Sequence, residues 1–175
     1  LRRSKGAGAA NLKFLSAWAH RELMTAATPL RIAVGQSTSV SALLTNPSDS
    51  RACFVFAHGA GSGMTHAFMA DVAAGLAGRG VATLRYQFPY MEKGSRRPDP
   101  PALAQAAVRA AVAEAARACP GLPLFAGGKS FGGRMTSQAQ AKAAGGGGRG
   151  PACGGFPMHA AGQPSNARAA HLAYV

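Results

Sequence analysis

The sequence predicts an α/β protein: a mainly parallel, doubly wound sheet with an N-terminal antiparallel hairpin, incomplete at the C-terminal side. Three observations carry this. From residue 53 onward, short apolar runs alternate with helical segments, the order that right-handed crossovers between parallel strands require. Before them, two strand-like runs flank a Gly/Ser/Thr turn. Finally, Gly128-Lys-Ser130-Phe-Gly132 falls where an apolar run meets a polar, helix-compatible stretch.

The elements follow in order. Leu30-Arg-Ile-Ala-Val34 and Val40-Ser-Ala-Leu-Leu44 read as the hairpin, and Asn46 to Ser50 as a loop by its turn chemistry. Cys53-Phe-Val-Phe-Ala57 is a short continuous apolar run, as expected of a strand covered on both faces, and it ends in His58-Gly-Ala-Gly61. Phe68, Met69, Val72 and Leu76 recur at helical spacing between Thr65 and Gly80, and Val81 to Tyr86 is strand-like again. Gln87 to Pro98 reads as a long loop, with Asp99 and Pro100-Pro101 as cap and first turn of the next helix. Leu103, Ala107, Val108, Ala111 and Val112 form the stripe of that helix, which Pro120-Gly121 stops. Leu122 to Ala126 is the strand before the Gly-rich junction.

Beyond that junction the pattern degrades. Residues 143–154 are Gly-rich and expected to be weakly ordered, and a short helix is expected over 167–173. Met24 opens the first well-patterned segment. Residues 1–23 are therefore expected to be a non-core N-terminal extension, with 24–175 forming one domain.

Composition narrows the function. The formal charge of +13 attracts polyanions non-specifically. Its carriers are scattered apart from Arg2-Arg3-Lys5 and Lys93 to Arg97, with no interleaved aromatics to stack bases, so no specific nucleic-acid binding is expected. Cys53, Cys119 and Cys153 are odd in number and far apart, which argues against a disulfide framework or a zinc site. They read as small buried hydrophobes in a reducing, cytoplasmic setting. No apolar run approaches the roughly 20 residues a membrane span needs. No metal or cofactor is expected.

Gly128-x-Ser130-x-Gly132 is the pattern of a nucleophile elbow. There a serine sits on a strained strand-to-helix turn, and small residues on either side allow the sharp bend. Ser130 is the nucleophile candidate. The N–H of Phe131, opening the next helix, and the N–H of Ala60, in the loop after an earlier strand, are the candidate oxyanion donors. Gly128, Gly132, His58 and Gly59 support elbow and loop. His58 precedes the nucleophile and is expected to be a structural hydrogen-bonding residue. His20 and His66 are expected at the surface. A phosphate-loop reading of Gly128-Lys129-Ser130 fails because Pro123 occupies the position of the first Gly of that motif.

With these motifs the chain resembles the alpha/beta-hydrolase superfamily on its dienelactone-hydrolase-like side. It looks closest to the small hydrolase-like family of testis-expressed protein thirty and subunit three of the NSL complex. The resemblance rests on Phe56-Ala-His-Gly-Ala-Gly-Ser-Gly63, Leu84-Arg-Tyr-Gln-Phe-Pro-Tyr90, Arg96-Arg-Pro98, Gly127-Gly-Lys-Ser-Phe-Gly-Gly-Arg134 and Gly155-Phe-Pro-Met-His159. It covers about residues 30–172, with 143–154 a poor match. It implies a serine hydrolase acting on an ester or related small acyl substrate. Ser130 would be the nucleophile, with Phe131 and the His58-Gly-Ala loop around the oxyanion. It also implies a triad acid after a later strand and a histidine near the C-terminus. Here the sequence departs from the pattern, because no Asp or Glu follows Ser130. His159 and His171 follow it, yet His159 matches a motif position that is not the family's base. The expectation is a fragment, frame-shifted or decayed copy with impaired catalysis. The alternative is a non-catalytic scaffold with a protein partner.

Overall fold

The structure, a computed structural model, describes residues 26–142 and the backbone of 149–154. The expected N-terminal extension, His20, His159, His171 and the 167–173 helix lie outside the described residues.

Strands β1 (Thr28–Val34) and β2 (Thr38–Thr45) form the hairpin, pairing Thr28 with Leu44 through Val34 with Thr38. Then come β3 (Ala52–Ala57), α1 (Ala67–Ala77), β4 (Val81–Tyr86), α2 (Pro89–Glu92) and α3 (Pro101–Ala118). They are followed by β5 (Leu124–Lys129), α4 (Phe131–Lys142) and β6 (Arg149–Gly154). The sheet order is β1-β2-β4-β3-β5-β6. β2 meets β4 antiparallel, while β4, β3, β5 and β6 run parallel, so the sheet is mainly parallel with the hairpin at one side.

The pleat divides the side chains of β4 between two faces. Ala82, Leu84 and Tyr86 join Val55, Ala107, Ala111, Phe131 and Met135 in one core, beneath α3 and α4. Thr83 and Arg85 face the α1 side. α3 presses on the sheet through alanines: Ala104, Ala107, Ala111 and Ala115 are all fully buried, which lets helix and sheet approach closely. Gln105 donates to Gln138 (3.1 Å) and ties α3 to α4. Cys53 and Cys119 are buried free thiols. Burial, and then the neighbouring Cys119, pushes Cys53 up to about 12.

Three local expectations need correction, and one surface residue gains a role. The buried stripe of α1 is Met69, Ala73 and Ala77, whereas Phe68 is 41% exposed. Besides Met69, helix and sheet pack through small residues, so Phe68, Val72 and Leu76 sit at the margin of the contact. His66 is indeed exposed but works as the N-cap of α1, its Nδ1 accepting from the Phe68 N–H (3.2 Å). The loop after β4 contains α2, one turn with Pro89 at its start. Finally, Asp99 does not cap α3. Its carboxylate accepts from the Tyr90 N–H (3.0 Å) and so caps α2 instead, while Pro100 takes the N-cap position of α3.

Candidate functional site

The parallel strands β3 and β5 lie side by side, pairing Ala57 with Gly128, so the chain segments leaving their C-terminal ends are neighbours. One is the 58–64 loop; the other is the turn into α4.

Ser130 occupies that turn with φ 50, the left-handed region that side chains with a Cβ rarely adopt. No other non-glycine residue among those described does so. It precedes α4 and its carbonyl accepts from the Arg134 N–H (3.0 Å), which places it at the helix cap. The two flanking glycines are needed for contact. A Cβ on Gly128 would lie 2.5 Å from the Ala57 carbonyl oxygen. One on Gly132 would lie 2.5 Å from the His58 oxygen and 2.6 Å from that of Ala57. The strand-to-helix bend is thus seated against the end of β3 with no room for a methyl group at either side.

The N–H of Phe131 belongs to the first turn of α4 and has no partner to receive it within the helix. The phenyl ring beneath is buried, edge-on to Phe88 (5.1 Å) and Tyr90 (6.2 Å). Ala60 is exposed on the loop opposite. Gly59 packs over β5: a Cβ there would sit 3.5 Å from the Lys129 carbonyl oxygen. Lys129, the residue before Ser130, lays its ammonium 4.7 Å over the ring of Phe68, so the two side chains flank the site together.

His58 is fully buried and both ring nitrogens are engaged. Nδ1 donates to the Gly59 carbonyl (2.8 Å) and Nε2 accepts from the Phe88 N–H (3.0 Å). That fixes a neutral tautomer and leaves no nitrogen for proton transfer. Burial holds its pKa below the ordinary 6.5, partly offset by the bond to Gly59. The unfolded chain therefore takes up a proton more readily than the folded one, and the stability His58 contributes is lost as pH falls below about 6.5. Comparing urea midpoints of wild type and His58→Ala at pH 7.5 and 5.5 should show that component in the wild type alone. Equal acid sensitivity of the two proteins would contradict the assignment.

Tyr90 joins the loop to a recess. Its hydroxyl accepts from the Gly61 N–H (3.4 Å), and its ring lines a cavity of about 580 Å³ with Lys93, Ser95, Arg97, Asp99 and the prolines beside them. Burial raises the Asp99 carboxyl above its usual range, against the Tyr90 N–H and Lys93, which act the other way. Sequence reasoning missed Arg85, Gln87 and Tyr90. All three lie in the Leu84–Tyr90 motif, and the first two also alternate with apolar residues of the strand. Among the described residues there is no group of three or more His, Cys, Asp or Glu able to hold a metal, and no helix long and apolar enough to cross a membrane.

A strand order of this kind, with a strained turn leading from the fifth strand into a helix, defines an alpha/beta-hydrolase fold. A family model described as an alpha/beta hydrolase domain matches residues 50–175, and the chain belongs to that family. Among solved structures it is similar to dienelactone hydrolase from Anabaena variabilis, with 22% identity and TM-score 0.60 over 66% of this chain and 57% of that one. An alpha-beta serine hydrolase homologue from Coxiella burnetii gives 18%, TM-score 0.57 and the same coverage of 66% and 57%. A carboxyl esterase from Bacillus coagulans gives 17%, TM-score 0.60, and 73% and 44%. These are likenesses of fold, and the chain spans about half the length of those structures. No curated protein sequence gives a significant match.

Proposed function

We propose that this chain carries the nucleophile half of a serine hydrolase site acting on an ester or related acyl substrate. The observation behind this is the strained φ of 50 at Ser130, enforced by two glycines whose Cβ positions are already filled by the backbone of Ala57 and His58. Strain of this kind costs about 1–3 kcal/mol and persists where the surroundings over-determine it. What it achieves here is to stand a hydroxyl at the junction of two amide-bearing segments. In the proposed step Ser130 Oγ bonds to the carbonyl carbon while its proton passes to a base. Negative charge gathers on the carbonyl oxygen near the Phe131 and Ala60 amides, and the alkoxide then leaves with a proton. Water hydrolyses the resulting acyl-enzyme.

The base and acid of a triad have no candidate among the described residues. His58 is committed on both nitrogens, and no Asp or Glu follows Ser130 in the sequence. Without them an elbow and oxyanion hole supply only about 10³–10⁴-fold acceleration over water, so full activity needs a base and an acid from outside the described residues. A second reading is a hydrolase-like scaffold that binds a protein partner, since a fold alone does not fix a function.

Labelling with a fluorophosphonate probe separates the two. Stoichiometric modification mapped to Ser130, and its disappearance in Ser130→Ala, are expected of a hydrolase. An unlabelled wild type, or labelling that survives the substitution, would leave the scaffold.

A further inference from the structure

We propose that Arg85 and Gln87 are positioning residues for the oxyanion loop, holding the Ala60 amide in place by gripping both sides of Met64. The proposal rests on the hydrolase reading above.

The two residues lie on one face of β4 and its extension, opposite the core residues Leu84, Tyr86 and Phe88. Arg85 Nη1 donates to the Met64 carbonyl (3.2 Å), and Gln87 Oε1 accepts from the Met64 N–H (2.9 Å). Both polar groups of one buried residue are thus held by consecutive outward positions of one strand. The fit around them is close: a Cβ on Gly63 would stand 3.0 Å from both amide atoms of Gln87. At its other end the loop is fixed by His58 on the Phe88 N–H and by the Gly61 N–H on Tyr90 (3.4 Å). Ala60 lies between these anchors, so its amide inherits its position from them.

Energetics point the same way. Arg85 is only 6% exposed, yet no carboxylate contacts it among the described residues and its Nε has no hydrogen-bond partner there. Burying a guanidinium without a counter-charge opposes folding, and an apolar side chain of similar volume would be cheaper. A residue that lowers stability while fixing a loop is what a site needing a set geometry would carry.

The test uses Arg85→Met, Gln87→Met and the acceptor-retaining Gln87→Glu. It reads the rate of fluorophosphonate labelling at Ser130, the thermal midpoint, and amide exchange at Ser62 and His66. The last two residues donate to Gly59 and Gly63, acceptors that none of the variants alters. Both Met variants should label about 10²-fold more slowly, the scale of an ångström-sized misplacement of a catalytic group. The Arg85→Met midpoint should stay level or rise, Gln87→Glu should keep most of the wild-type rate, and loop amides should exchange faster in Gln87→Met. Unchanged labelling in both Met variants, or rates that fall only in step with the midpoint, would overturn the proposal. Should Arg85→Met fail to fold, the Gln87 pair decides. A wild type that resists labelling removes the hydrolase reading and leaves exchange as the judge. Faster exchange at Ser62 and His66 then upholds the grip on Met64, and unchanged exchange refutes it.

Discussion

Gly132→Ala is expected to cost about 3 kcal/mol or more, the upper end for overpacking a filled site. The added methyl would meet two backbone oxygens and a backbone carbon of residues 57 and 58 at 2.5 to 2.8 Å, and none of these atoms can swing aside as a flexible side chain would. Relief requires moving either the end of β3 or the start of α4, and the 58–64 loop begins on the first of these. At this chain length the loss corresponds to roughly 6–12 °C in the thermal midpoint. Gly75→Ala in α1 serves as the contrast. The nearest atom to its Cβ would be Arg79 Nη1 at 3.8 Å, and alanine there should raise stability by about 0.8 kcal/mol through helix propensity. Urea unfolding of both variants measures the difference. A Gly132→Ala protein with the wild-type midpoint would mean that the elbow is not seated against β3 as described.

The second large effect separates stability from reactivity at one position. Ser130→Gly and Ser130→Ala should both abolish fluorophosphonate labelling, since both remove the hydroxyl. Their stabilities should differ. Alanine keeps the Cβ that makes φ 50 unfavourable, whereas glycine adopts that conformation freely. Removing a penalty of about 1–2 kcal/mol, less the extra unfolded-state freedom of glycine, leaves Ser130→Gly more stable than Ser130→Ala by about 1 kcal/mol. Equal midpoints for the two variants would show that the backbone at residue 130 is relaxed, and the argument from strain would fail with it.

The central strands and the elbow were legible because their residues state their own requirements. The run from Cys53 to Ala57 is apolar on both faces, and glycine at 128 and 132 is what a sharp bend against a neighbouring strand demands. His58 was read as a hydrogen-bonding residue of the loop, yet its partner, the Phe88 amide, lies 30 residues away and left no local trace. What escaped the sequence depends on distant partners or small residues. α2 is a single turn whose cap, Asp99, comes nine residues after the amide it receives. The inner stripe of α1 is mostly alanine, which periodicity weighs less than Phe68, Val72 and Leu76. Arg85 carried no sign of its burial in the sequence, and only the covering loop at Met64 shows it.

Glu92 gives the hairpin a purpose beyond sheet edge. Its carboxylate receives Arg31 from β1 and, from β2, both the Ser41 N–H (3.0 Å) and the Ser41 hydroxyl (2.9 Å). Those strands stand at the far side of the sheet from β5, yet through one side chain they moor the turn whose Tyr90 touches the loop facing Ser130. Residues 28–45 thus act as a buttress for the rim of the cleft. Any shortened version of this protein that omits them would be expected to keep its serine turn while letting the opposite bank drift.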